Sequence, residues 1–332
     1  MLTRFRRLHW PMACVALVVT IAAARAQSPS AASQSARGSA AGRQTKPVKR
    51  TSWGDPDVEG VWNYGTMTPL ERPANWAGKE TLSETEATAY EQQTIARRST
   101  ANNTAGPDWW EPENNVLKNR RTSLIVDPPD GRLPPPVPSP DGRGRGGRGG
   151  AGRGAGGAYD NPEQLGLQDR CIAWGAAGPP YQPTVYNNNV QIVQTKDYVV
   201  LLSEMIHVAR IVPMDGRPHG TARTWYGDSR GHYEGDTLVI DTVNFNGRLN
   251  FRNTGENLHL TERFTRTGDT TLAYEYTVDA PKTWTRPWTV RLDMTLKDAL
   301  IYEFSCHEGN GISMLGTLEG ARMEEQRQSG GR

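Results

Sequence analysis

Histidine and cysteine are scarce in this chain, with six and three residues among 332. No two histidines stand in a His-x-His or His-x-x-x-His spacing, so no local metal motif exists, and a metal is not expected. Strands would have to gather His207, His259 and a carboxylate, in the manner of cupin-like barrels, to make one. Cys14 lies in the first 26 residues, which leaves Cys171 and Cys306 as one available pair. Long apolar runs are missing too. The longest, at residues 14–24, is too short for a bilayer-spanning helix, which excludes a membrane span. The G-x-S-x-G string at Gly227-Asp228-Ser229-Arg230-Gly231 is followed by strand-like sequence and not by a helix, so Ser229 is read as part of a turn and not as a nucleophile. No histidine has Asp three residues before it, as a GDSL-type hydrolase would need. Gly309-Asn310-Gly311 is likewise read as a turn, since no helix carrying Lys or Ser is expected after it.

What is present begins with a leader. Arg4, Arg6 and Arg7 precede the apolar run, and Ala24-Arg25-Ala26 offers a small-x-small cleavage site, the pattern of a signal peptide covering residues 1–26. The expected compartment is periplasmic or secreted. There a Cys171–Cys306 disulfide can persist and would be worth about 4 kcal/mol in the chain-entropy account; two unpaired buried thiols are the alternative reading. The formal charge of the whole chain is +2. Four arginines leave with the leader, and nine further basic residues lie in two acid-free low-complexity stretches, so the remainder carries −11. An acidic folded part argues against nucleic acid as a partner.

Composition divides the rest. Residues 27–50 are Ser-, Ala- and Arg-rich with almost no large apolar residue, a disordered leader. Residues 51–133 read as an N-terminal segment packed on the main domain. They hold one short exposed helix at 83–98, opened by a Ser83/Glu86 capping box. Residues 134–158 pass from a proline-rich string into an Arg/Gly-rich one, a disordered insert. Weak contact of this insert with envelope polymers is a partner expectation. Residues 159–320 form the main domain, and 321–332 a tail.

Within the main domain, apolar and polar residues alternate through segments 190–195, 198–213, 237–245, 258–266, 271–278, 284–295 and 300–306. Lys196-Asp197, Gly235-Asp236 and Gly268-Asp269 punctuate them. The expectation is mainly β, an antiparallel up-and-down meander that closes into a barrel and so removes its edges. If 198–213 is one strand, both its faces are apolar and Glu204, His207 and Arg210 are at least partly buried. Partners for the buried charges must then come from neighbouring strands, where Glu262, Arg263, Glu275 and Arg286 are available.

The strings TPLERP, RTSLIVDPPDGRLPP, EMIHVARIVPMDGRPH, GDSRGHYEGDTLVIDTVNF, NLHLTERFTR and TWTRPW resemble a large, mostly uncharacterised family of exported bacterial proteins. The family usually has Trp at the position of Tyr233, and the Arg/Gly insert departs from its pattern. The resemblance supports export and domain limits and brings no activity. Gly60-x-Trp62 before a meander is also similar to lipocalin-like barrels. Two functions follow as expectations. In one, a small, partly apolar molecule binds between Tyr274, Tyr276, Trp284 and Trp288, oriented by Arg210. In the other, a lyase, isomerase or hydrolase without cofactor uses His207 or His259 as acid or base, with Glu204 or Glu262 to orient it. An envelope-associated structural role is a third.

Overall fold

The computed structural model describes residues 48–101, 115–138, 159, 161–249 and 251–330. The segment expected to be a signal peptide, nearly all of the expected leader and most of the expected insert therefore lie outside the described residues. The described chain is mainly β. Its strands are β1 (Gly60–Asn63), β2 (Ile125–Asp127), β3 (Asn189–Gln194), β4 (Tyr198–Ser203), β5 (Ala209–Pro213), β6 (Asp228–Glu234), β7 (Thr237–Val243), β8 (His259–Gly268), β9 (Thr271–Asp279) and β10 (Trp288–Lys297). Two helices, α1 (Glu84–Ala101) and α2 (Cys306–Gly330), lie outside the sheet.

All strands join one antiparallel sheet in the order β5-β4-β3-β1-β10-β9-β8-β7-β6, with β2 also on β10. Two meanders, β3 to β5 and β6 to β10, are thus stitched together by β1. The N-terminal segment does more than pack on the domain, because it supplies this central strand. β1 occupies the Thr295–Lys297 end of one edge of β10, and β2 pairs at Thr289 and Val290 farther along. Gly60 makes the junction sterically feasible. Its φ is +140°, and a Cβ there would stand 2.5 Å from Leu296 Cδ1. Trp62 anchors β1, its indole donating to the Val58 carbonyl at 2.9 Å while the Arg266 guanidinium lies 5.3 Å from its ring centroid.

Strand alternation sends Leu260 and Phe264 of β8, Leu272 and Val278 of β9, and Val290, Leu292 and Met294 of β10 into one core. Val199, Leu201 and Val212, from the opposite end of the strand order, join that same core. The sheet must therefore curl on itself. Its terminal strands β5 and β6 are not joined by a ladder among the described residues, so hydrogen-bonded barrel closure is not established. They approach through side chains instead. A Cβ on Gly231 of β6 would come within 2.9 Å of Val212 Cγ1 and still closer to Met214 Sδ.

Several sequence expectations need correction. Residues 198–213 are two strands, broken by a 3₁₀ turn at Met205–His207 in which Ile206 has φ 56°. The turn shifts the side-chain parity. Val199, Leu201 and Ser203 point inward before it, Arg210 and Val212 after it, while Ile211 is 62% exposed. The two-sided burial expected of one long strand is absent. β10 starts at Trp288 and not at Trp284, because Thr283 and Trp284 donate back to Ala280 in a turn and Pro287 has no N–H to give. Residues 301–305 have no regular structure, and α2 begins at Cys306, absorbing Gly309-Asn310-Gly311 and most of the expected tail. By contrast α1 opens on the capping box read from the sequence, with Glu86 N–H donating to Ser83 Oγ at 3.3 Å and Ser83 N–H to Glu86 Oε2 at 2.9 Å. The Cys171–Cys306 disulfide is present and ties the start of α2 to the segment before β3.

Candidate functional site

The inward faces of β5, β8 and β9 bring three polar residues together inside the apolar core. Arg210 places one guanidinium nitrogen on Glu262 Oε2 and donates with the other to Oε1 at 3.1 Å. This bidentate fork is the strong form of such a pair. Glu262 is completely buried, and Arg210 is 7% exposed. The Tyr274 hydroxyl donates to Glu262 Oε1 at 2.7 Å and accepts from the Tyr181 backbone N–H at 3.1 Å. Tyr181 also lies under the Arg210 guanidinium, 5.8 Å from ring centroid to Cζ. Burial pulls the Arg210 pKa down, but the adjacent Glu262 carries it above its ordinary value, so the cation persists. Burial, followed by the charge of Glu262, holds the Tyr274 hydroxyl well above the usual phenol range, and burial does the same for Tyr181. Both phenols therefore act as neutral groups at physiological pH. Arg210 Nε, also buried, has no hydrogen-bond partner among the described residues.

Aromatic rings continue outward from this cluster. Tyr181 packs on Tyr64 and Tyr274, Tyr274 on Phe264 and Tyr276, and Tyr276 on Trp288 at 6.1 Å. Trp288 then meets Phe251, nearly parallel at 6.2 Å, and Trp284, nearly perpendicular at 6.3 Å. The indole N–H groups of both Trp284 and Trp288 are buried without a partner among the described residues. Phe251 belongs to a connection between β7 and β8 in which Asn244, Arg252 and Asn253 all have positive φ. Such left-handed residues are costly and persist where surrounding contacts impose them.

Glu204 forms a separate corner. It is buried and accepts from Asn189 Nδ2 at 2.8 Å, while Asn189 Oδ1 accepts from Asn63 Nδ2 at 2.9 Å. This relay pins the adjoining ends of β1, β3 and β4. The neighbouring Ser203 Oγ is buried without a partner among the described residues. His207 closes the 3₁₀ turn with its backbone, and its side chain is outside the described residues.

His259 is on the opposite side of β8 from Glu262, as its odd parity requires. Its Nε2 meets Asp241 Oδ2 on β7. Asp241 Oδ1 is also 3.3 Å from His219 Nε2, and His219 Nδ1 is 3.4 Å from Asp228, which in turn pairs with Arg230. The Asp241 hydrogen bond raises the His259 pKa. Burial acts to raise that of Asp241, but bonds from His259 and His219 bring it below the ordinary carboxylate value. This is an ordered chain of charges on the outer, partly exposed face. Among the described residues no group of three His, Cys, Asp or Glu is arranged to hold a metal.

Of the residues singled out in the sequence, the fold thus gathers Arg210, Glu262 and Tyr274 in one cluster and continues it through Tyr276 to Trp288 and Trp284. It keeps Glu204 apart in its own relay, sends His259 outside, and commits Cys171 and Cys306 to each other. Tyr181, Tyr64, Phe251 and Asp241 were missed. Asp241 carried a readable clue, a lone acid inside the otherwise apolar run of β7, whereas Tyr181 and Phe251 come from irregular segments without periodicity. The chain has no significant match among protein-family models, curated proteins or solved structures.

Proposed function

We propose that this chain is an exported, lipocalin-like barrel protein that binds a small, partly apolar molecule within its curled sheet. The observation that carries the reading is the Arg210–Glu262–Tyr274 cluster, a bidentate ion pair held inside an aromatic interior. Burying such a pair is seldom worth its desolvation for stability alone, and apolar walls with a few fixed polar groups are what small-molecule sites consist of. Barrel closure is supported by the salt link from β5 to β8 across the interior and by the close approach of Val212 and Met214 to Gly231. Export is supported by the leader sequence, and the disulfide is compatible with an oxidising compartment.

Binding is preferred to acid–base turnover because His259 faces outward and Glu262 is engaged by Arg210 and Tyr274. Native and denaturing mass spectrometry of the protein purified from an envelope preparation tests the reading. A mass excess seen only in the native spectrum is the expected result. An unliganded native mass, together with no binding across a panel of small apolar compounds, would refute it.

A further inference from the structure

We propose that the ligand is a planar, unsaturated or aromatic carboxylate, received by the indole N–H groups of Trp284 and Trp288 beside Phe251. This rests on the binding function proposed above and specifies its chemistry.

The argument is an account of hydrogen-bonding capacity. The acceptors of the ion-pair cluster are engaged: Glu262 receives both guanidinium nitrogens and the Tyr274 hydroxyl, and that hydroxyl receives the Tyr181 N–H. In the cluster and the aromatic layer beside it, donors remain over. Trp284 Nε1, Trp288 Nε1 and Arg210 Nε are buried and unpartnered among the described residues, and each can only donate. Nearby aromatic faces are second-order acceptors and do not balance them. A ligand that brings oxygen acceptors satisfies these groups. One that brings N–H donors adds to the surplus.

Shape and charge narrow the class further. Phe251 already stacks on Trp288 at 23° between planes, so the indole presents a flat face to a flat partner. Burial holds the Tyr276 phenol above its ordinary range, and the charge of Arg252, exposed and next along the chain from Phe251, acts against that shift. A cation at that end favours an anionic acceptor over a neutral one. Phe251 sits in the left-handed stretch containing Arg252 and Asn253, the segment whose displacement would open the face of Trp288.

The test uses three probes of one shape, 2-naphthoate, 2-naphthylmethylamine and naphthalene, titrated calorimetrically into the mature protein. The expected result is that 2-naphthoate binds at least tenfold tighter than the amine. Trp284→Phe and Trp288→Phe, which keep a ring and delete the donor, should each weaken naphthoate about tenfold, the value of one hydrogen bond in a buried site, and leave naphthalene unchanged. Arg252→Gln should also weaken naphthoate selectively. Near-UV circular dichroism reports whether each variant is folded. If Trp288→Phe is not, Trp284→Phe and Arg252→Gln still decide. Equal affinity for acid and amine, or naphthoate binding insensitive to these variants, overturns the proposal while naphthalene binding keeps the broader one. Failure of all three probes, with no native mass excess, overturns both.

Discussion

Glu262→Leu isolates the energetics of the interior cluster. It removes the carboxylate that pairs with a guanidinium that is 7% exposed and takes away the acceptor of the Tyr274 hydroxyl. Breaking a buried pair by deleting one member costs about 3–5 kcal/mol, and an orphaned buried hydroxyl adds about 1–3 kcal/mol. Set against a total stability of roughly 5–15 kcal/mol, the variant should lose about half of it or more. Arg210→Met strands Glu262 in the same way, by a comparable amount. The double variant leaves an apolar pair of similar volume, so the orphaned Tyr274 hydroxyl is the remaining cost and the loss should fall to about 1–3 kcal/mol or less. Urea titrations followed by circular dichroism, on the four proteins of the cycle, give the coupling directly. If the double variant loses the sum of the two single losses, the residues act independently and the fork described here does not govern the interior.

Further outcomes follow from other parts of the molecule. Replacing Cys171 and Cys306 together with Ser should cost about 4 kcal/mol by freeing the denatured chain, read as a lower urea midpoint. An unchanged midpoint would mean that the bridge does not form in the protein tested. Gly231→Val should destabilise by about 1–3 kcal/mol through overpacking against Val212 and Met214, and a neutral result would contradict the approach of β5 to β6. His259 has a raised pKa in the folded state, so its contribution is complete below the unfolded value near 6.5 and is lost as pH rises through the folded value. The difference in Tm between the native protein and His259→Gln should therefore shrink from pH 6 to pH 9. A difference that grows with pH would reverse the assignment. The Asp241 contribution, with its lowered pKa, is lost only as pH falls into the acid range.

Local rules made much of the scaffold readable. The turns Lys196-Asp197, Gly235-Asp236 and Gly268-Asp269 mark hairpins because their residues suit tight turns, and the alternation around them gives β3, β4, β7, β8 and β9 their faces. Ser83 and Glu86 announce α1 because a capping box is made by neighbours in sequence. Cysteine count alone left one pair to form. The break after Ser203 was hidden because Ile206, which takes the left-handed conformation there, is neither Gly nor Asn and interrupts no apolar pattern. Parity could not survive that break, so the faces of Arg210 and Ile211 could not be inferred from those of Val199 and Leu201. The central place of β1, the pairing of Arg210 with Glu262 across 52 residues and the aromatic layer ending at Phe251 depend on how the sheet curls. Periodicity along a strand fixes which side a residue faces. Only the assembled sheet decides which residues from distant strands share that side.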